Sequence, residues 1–359
     1  MSKSIRSVLV PLTHAALAVA VLISAADLRA QGSDDLRDPR EVHLRNVRQL
    51  TFGGQNAEAY WAFDGSQIIF QRTPPEGGCD QIFIMNPDGS DVREVSTGKG
   101  RTTCSYFFPA GDKIIYASTH HWSEMCPADP DMSQGYVWGL FPTYDLFIAD
   151  PDGSNVQQLT YTFGYDAEAT ISPTGDTIVF TSMRDGDLEL YTMNLDGSDV
   201  RRITDRLGYD GGAFFSPDGS KIVWRASYPT EDRVVQDYKD LLAQGMIRPS
   251  ALDVFVANAD GSGQTQVTDN GAANFGPFFH PSGEKIIFSS NYGDPTGREF
   301  ELWMINVDGT GLEQITFSEE FDGFPMFSPD GKYLLFGSNR NGAQPGDTNV
   351  FIAEWVDSP

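Results

Sequence analysis

Polar side chains recur at two related positions along the chain. The first, which we call the strand-start position, lies nine residues before the glycine of a recurring turn and holds Asn56, Thr102, Asp166, Asp210, Asn274 and Asp322. The second, which we call the +2 position, follows two residues later and holds Glu58, Cys104, Glu168, Gly212, Gly276 and Phe324. Because Ca²⁺ binds clustered carboxylate oxygens, the acids predict a site for Ca²⁺ or a basic ligand. These acids are Glu58, Asp166, Glu168, Asp210 and Asp322.

A structural interpretation competes for the same acids. An aspartate beside a turn often accepts hydrogen bonds from nearby backbone amides, and a residue that recurs in many repeats usually has a structural role. We therefore favour local hydrogen bonding for the strand-start aspartates. Glu58 and Glu168 occur in only two repeats, so the structural interpretation is weaker for them.

Segment 119–143 concentrates aromatic and metal-ligating residue types. Trp122 and Trp138 suit stacking on sugar rings or peptide side chains, although such a loop could equally form its own small core. Arg101, which precedes the strand-start Thr102, is a further candidate for ligand binding. His120, His121 and Cys126 are candidate metal ligands, but they lack the spacing of known zinc motifs.

Three cysteines, Cys79, Cys104 and Cys126, predict one disulfide and one leftover thiol if the protein is exported. The sequence leaves all three pairings open.

These candidates are positioned by an internal repeat. A turn ending in glycine occurs six times, at Gly65, Gly111, Gly175, Gly219, Gly283 and Gly331, with spacings of 46, 64, 44, 64 and 48 residues. Each turn precedes an apolar run such as 285–288, then a run ending in an aromatic residue, and five repeats continue with Asp-Gly-Ser/Thr and a short fourth strand. Runs of this length between Asp-Gly turns predict hairpins.

The fourth-strand pattern appears first at 47–51, before the first complete repeat, and is missing after the last. We therefore predict an all-β, six-bladed β-propeller whose ring is closed by an N-terminal strand. One helix is predicted at 230–244, where 234, 238, 241 and 242 form an apolar stripe. The long insertions, 119–143 and 228–251 among them, would all lie on one face, where binding sites usually form.

The repeats resemble the PD40, or WD40-like, repeats of the TolB-type propeller family. The resemblance rests on YDGGAFFSPDG at 209–219, FDGFPMFSPDG at 321–331 and the segment 181–198, and it extends over 47–356. It implies the six-bladed fold, here without the N-terminal α/β domain of TolB. Related propellers include envelope proteins, peptidase domains and pectin-fragment lyases that use metal-binding histidines.

The net charge and the N-terminal residues indicate which partners and which cellular compartment to expect. Fifty acids against 25 Lys and Arg give a net charge of −25 over 359 residues, which disfavours nucleic acid and anionic membranes as partners. Residues 1–30 have the pattern of a cleaved signal peptide. We expect a flexible segment at 31–41, the propeller at 42–359, and a monomer, periplasmic or secreted, without a membrane span.

The expected function is a scaffold that binds a protein, peptide or glycan through the long-loop face, with a TolB-like role at the envelope or in transport. No recognisable set of nucleophile, base and orienting residue points to catalysis. The alternative is a metal-assisted polysaccharide lyase or hydrolase that uses the same face.

Overall fold

The computed structural model describes residues 36–133, 135–294 and 296–357, which form six four-stranded antiparallel sheets. In chain order the strands are β1 (Leu44–Gln49), β2 (Gln55–Trp61), β3 (Ile68–Thr73), β4 (Gln81–Met85), β5 (Arg93–Glu94), β6 (Thr102–Phe107), β7 (Ile114–Ser118), β8 (Trp138–Gly139), β9 (Asp145–Ala149), β10 (Gln157–Gln158), β11 (Asp166–Ile171), β12 (Thr177–Ser182), β13 (Glu189–Asn194), β14 (Arg201–Arg202), β15 (Tyr209–Phe215), β16 (Lys221–Ser227), β17 (Met246–Ile247), β18 (Asp253–Asn258), β19 (Thr265–Gln266), β20 (Asn274–Phe279), β21 (Lys285–Ser290), β22 (Glu301–Asn306), β23 (Glu313–Gln314), β24 (Asp322–Phe327), β25 (Tyr333–Ser338) and β26 (Asn349–Trp355).

The six sheets form a closed ring of blades. The first strand of each blade contacts the first strand of the next, and β24 of the last blade contacts β2 of the first. Strand β1 pairs with β26 and so supplies the outer strand of the last sheet. The prediction of a six-bladed propeller closed by an N-terminal strand is confirmed.

The core lies between the blades, and the second and third strands of each blade supply most of it. Ile68, Ile69 and Phe70 of β3 have no exposed surface, and the same apolar run is buried in the other five blades. Their side chains are buried on both faces of the strand because each blade packs against two neighbours. The core makes the ring a rigid support for the loops at its two ends.

The helix α1 (Asp232–Leu242) lies within the predicted 230–244. Its apolar side docks on the propeller: Leu241 is buried, and the Tyr238 hydroxyl donates to the Gly208 carbonyl at 2.7 Å. After α1, β17 pairs with β8, so the insertions of the second and fourth blades join in one ribbon. The sequence did not predict this pairing, because two-residue strands carry no periodic signal.

The structure describes the N-terminal region from residue 36 onward, so it bears on only part of what the sequence predicted there. The predicted signal peptide, 1–30, lies outside the described residues. The segment 31–41 was expected to be flexible, but its described part is fastened to the propeller: Glu41 is fully buried and pairs with Arg340 at 3.0 Å. A buried charge needs a counter-ion, and this one is supplied by a distant part of the chain. Among the described residues, no helix is long and apolar enough to cross a membrane.

Candidate functional site

A cavity of about 1080 Å³ opens where the first strands of the blades begin. All six blades contribute to its wall, and so do the insertions, through Trp138, Leu140, Ile247 and Arg248. The turns that end in the recurring glycines lie at the other ends of these strands. The cavity therefore occupies the long-loop face, which the sequence pointed to as the binding face.

Strand alternation decides which side chains reach the cavity. The residue just before the strand-start position lines the cavity in every blade: Gln55, Arg101, Tyr165, Tyr209, Ala273 and Phe321. Residues just after it, including Ala57, Thr103 and Phe275, line it as well. Because successive side chains of a strand point to opposite sides, the strand-start residue between them points into the blade.

A β-bulge then returns the +2 position to the cavity. In all six blades the register of the first strand shifts just after the strand-start position. The +2 residue has a positive φ in every blade, 51° for Glu58 and 57° for Glu168. The backbone strain of a side chain in this region is typical of functional positions. The +2 side chains that line the cavity are Glu58, Cys104, Glu168 and Phe324.

The strand-start aspartates lie outside the cavity lining, which corrects the prediction of a five-acid ring. Asp166 pairs with Arg184 at 3.1 Å, and Asp210 accepts from Trp224 Nε1 at 2.6 Å. Asp322 pairs with the buried Arg340. These bonds lie within the aspartates' own blades, but their partners are side chains rather than the backbone amides that the structural interpretation proposed. With Asp166, Asp210 and Asp322 pointing away, the ring cannot form the predicted Ca²⁺ site.

Glu168 is the centre of a buried ion pair in the cavity wall. It accepts hydrogen bonds from Thr181 Oγ1 at 2.8 Å and from the Gly212 amide at 3.0 Å, and it pairs with Arg225. The guanidinium of Arg225 lies 5.2 Å from the Trp138 ring centroid, a cation–π contact. A side chain at Gly212 would collide with Arg225 Nη1, so a larger residue at this +2 position would displace the guanidinium from its place beside Glu168.

The charge of Arg225 is firmly held by these neighbours. Burial, the largest single influence, would lower the pKa of Arg225, but the charge of Glu168, together with Tyr209 and Glu58, outweighs burial and raises that pKa above its ordinary value. Glu168 is therefore the main partner of Arg225, whose charge also acts on Glu58.

Glu58 differs from Glu168 in lacking a cation of its own. Burial first, and then the negative charge of Glu168, raises the pKa of Glu58 to about 7, while Arg225 and a hydrogen bond with Cys104 oppose the shift. Burial, with the charges of Glu58 and Glu168, also raises the pKa of the Cys104 thiol well above its ordinary value. The cavity wall therefore holds a protonated thiol beside a carboxyl that titrates near neutral pH.

Comparison with known proteins identifies the fold. Residues 142–246 match the family model described as the TolB beta propeller domain. A solved structure named as TolB from Agrobacterium tumefaciens is 17% identical, with a TM-score of 0.56, over 84% of this chain and 91% of that one. The chain has the six-bladed β-propeller fold that this TolB structure shares. At such identities the similarity of solved structures shows the fold alone.

Other solved structures share the TolB-like fold. TolB from Acinetobacter baumannii matches with a TM-score of 0.53 at 16% identity, over 84% of this chain and 63% of that one. An oligogalacturonate lyase from Vibrio parahaemolyticus matches with a TM-score of 0.51 at 14% identity, over 87% and 94%. The fold thus occurs in proteins whose names indicate different functions.

The candidate metal ligands of this TolB-like propeller do not come together. Cys126 forms a disulfide with Cys79, so it has no thiolate to offer, and Cys104 is the free cysteine. His120 Nδ1 contacts Ser118 Oγ at 2.8 Å, and His121 Nε2 contacts Asp145 Oδ2 at 3.0 Å. Within the described part of the chain, no three His, Cys, Asp or Glu side chains are grouped to hold a metal. His120, His121 and Cys126 therefore do not form one ligand set in this structure.

The aromatic candidates separate into one inside the cavity and one outside it. Trp138 lines the cavity wall, whereas Trp122 is 59% exposed and packs against Phe163 outside the lining. Arg101 also lines the cavity, where it pairs with Asp129 at 2.7 Å and lies over the Phe141 ring. Of these three predictions, Trp138 and Arg101 lie at the cavity and Trp122 does not.

Sequence reasoning missed much of the aromatic wall and the arginine that pairs with Glu168. Tyr165, Tyr209 and Phe321 immediately precede strand-start residues, so strand alternation applied to the repeats would have found them. Arg225 lies on β16, the second strand of its blade, and has no repeat signal of its own. Only the tertiary contact with Glu168 shows its place in the site.

Proposed function

We propose that the protein is an exported, non-catalytic propeller that binds a segment of a protein, peptide or glycan partner in its central cavity. The observation that carries the proposal is the cavity itself. It combines aromatic side chains with a few charged groups on a rigid ring, and its volume of about 1080 Å³ accommodates several residues or sugar units.

The wall of the cavity is ready for binding before a ligand arrives. Glu168, Arg225 and Trp138 hold one another in place, and the Cys79–Cys126 disulfide ties segment 119–143 to the first blade. A preorganised wall reduces the entropy that binding costs. The disulfide and the leader pattern at 1–30 also support export to the periplasm or beyond, since disulfides persist in oxidising compartments.

The metal-assisted lyase or hydrolase remains the alternative, supported by fold similarity to the Vibrio lyase. His120 and His121, which such an activity would use here, contact Ser118 and Asp145 rather than the cavity. No feature of the cavity wall favours this alternative over binding.

Blocking the cavity tests the proposal. Peptide libraries and glycan arrays are screened with the unmodified protein, and the ligands found are tested against Ala57→Trp, in the cavity wall. We expect affinity to fall at least about tenfold, because the indole fills space that the ligand needs. Ala110→Trp, in an exposed turn on the opposite face, is the matched control and should bind normally. Equal binding by both variants would place the site elsewhere.

A further inference from the structure

The four carboxylates that line the cavity differ in their partners. Glu168 pairs with Arg225, Asp129 pairs with Arg101, and Asp80 accepts from the Thr73 hydroxyl. Glu58 has the Cys104 thiol as its hydrogen-bonding partner in the described part of the chain, and a thiol is a weak donor. Glu58 is thus the cavity carboxylate whose charge is least compensated by the protein.

The groups around Glu58 explain why its charge stays uncompensated. The charged or titratable groups that act on it are Glu168, Arg225, Cys104 and Asp80. Arg225 is engaged with Glu168, and the Cys104 thiol stays protonated. Glu168 and Asp80 add negative charge. An ionised Glu58 is therefore only partly compensated by Arg225, and the ammonium group of a ligand would complete the compensation.

We propose that Glu58 binds the ammonium group of a lysine side chain that an extended peptide partner inserts into the cavity. This proposal rests on the proposed function, because it assigns a ligand to the same cavity. An ammonium supplies the missing charge with three N–H donors, and its charge also favours aromatic faces. The protein's net charge of −25 attracts basic peptides over longer distances.

The surroundings of Glu58 favour an alkyl chain over a sugar or a metal ion. Tyr144 and Tyr165 line the cavity with Glu58, and the charge of Glu58 acts on Tyr144. The apolar stem of a lysine can lie along aromatic rings while its ammonium group reaches the carboxylate, whereas a neutral sugar brings no charge to compensate Glu58. Ca²⁺ needs six to eight oxygen ligands, and the Glu168 oxygens already bind Arg225, Thr181 and Gly212.

The test compares two short peptides that differ in one charge. An acetylated and amidated pentapeptide with a central lysine between alanines is titrated against the protein, beside the same peptide with norleucine. At pH 8 we expect the lysine peptide to bind at least about tenfold more tightly. Because the pKa of Glu58 is about 7, this preference should fall about tenfold at pH 6, where Glu58 is mostly protonated. The norleucine peptide should show no such pH dependence.

Two variants assign the effect to the residue. Glu58→Gln should abolish the preference for lysine at pH 8. Glu76→Gln removes the same charge from an exposed loop on the same face and should preserve it. The pH arm uses the unmodified protein, so the test does not depend on how well Glu58→Gln folds. Equal binding of the two peptides, or a preference that survives in Glu58→Gln, would overturn the proposal.

A glucosamine trimer, titrated in parallel, separates the two sources of an ammonium group. If the trimer shows the Glu58-dependent binding and the lysine peptide does not, the partner is a glycan and the proposal of a lysine is wrong. Failure here is distinguishable from failure of the proposed function. If Ala57→Trp still loses the ligands found by screening, the cavity remains the binding site without a lysine contact.

Discussion

The strand-start position and the +2 position lie two residues apart, yet their side chains have different roles. The strand-start residues are buried in all six blades, and the aspartates among them bond within their own blades. The +2 residues differ from blade to blade, and where they carry a side chain they line the cavity. The bulge between them separates the two roles. Without it, both side chains would point into the blade, whereas with it the +2 side chain points into the cavity.

The comparison shows that acids at the two repeat positions can have opposite electrostatic conditions. Asp322 is fully buried and pairs with Arg340, which also pairs with Glu41, so its charge is compensated inside the protein. Glu58 keeps some contact with water in the cavity, and no cation of the described chain is dedicated to it. Buried, compensated charge supports the fold, whereas uncompensated charge beside a cavity is available to a ligand.

The largest expected effect is at the strand-start position. Asp322→Ala leaves Arg340 buried with Glu41 as its remaining carboxylate partner, and we expect a loss of about 3 kcal/mol in the free energy of unfolding. Urea unfolding followed by fluorescence measures it. Asp330→Ala, at an exposed turn on the opposite face, is the matched control and should change stability much less. Equal losses in the two variants would contradict a special role for the strand-start aspartate.

Glu168→Gln tests the +2 acid that does have a partner. Removing its charge leaves Arg225 buried without its counter-ion, so we expect the free energy of unfolding to fall by about 2 kcal/mol. The same change removes the charge of Glu168 that helps raise the pKa of Glu58, and it frees Arg225. The pKa of Glu58 should therefore drop from about 7 toward its ordinary value, which a ¹³C NMR titration measures. An unchanged pKa would show that burial alone sets it.

Glu58→Gln is expected to have an effect of the opposite sign. The folded-state pKa of Glu58, about 7, exceeds the ordinary 4.5, so its contribution to stability is present below pH 4.5 and is lost as the pH rises through 7. The variant lacks this loss. Relative to the unmodified protein, it should therefore gain about 1–3 kcal/mol between pH 4.5 and pH 8, as measured by thermal unfolding at several pH values. A relative stability that does not change with pH would contradict the raised pKa.

Much of the fold follows from local sequence. The recurring turns, the apolar second strands and the fourth-strand pattern at 47–51 predict six blades and the closure of the ring, because each depends on residues close together in the chain. The helix at Asp232–Leu242 follows in the same way from its apolar stripe and terminal residues. Glu58 and Glu168 reach the cavity because of the bulge after the strand-start position, which the sequence analysis did not predict.

Only the tertiary structure decided the content of the site. The pairing of Cys79 with Cys126, the ribbon of β8 and β17, and the contact of Arg225 with Glu168 join residues 47 or more positions apart, and no local pattern announces them. The strand-start acids were assigned to the cavity in error because a one-residue difference along a strand reverses the direction of a side chain. The types of residue available for binding can thus be inferred from the sequence, but the charge that remains uncompensated at Glu58 depends on which distant groups the fold places beside it.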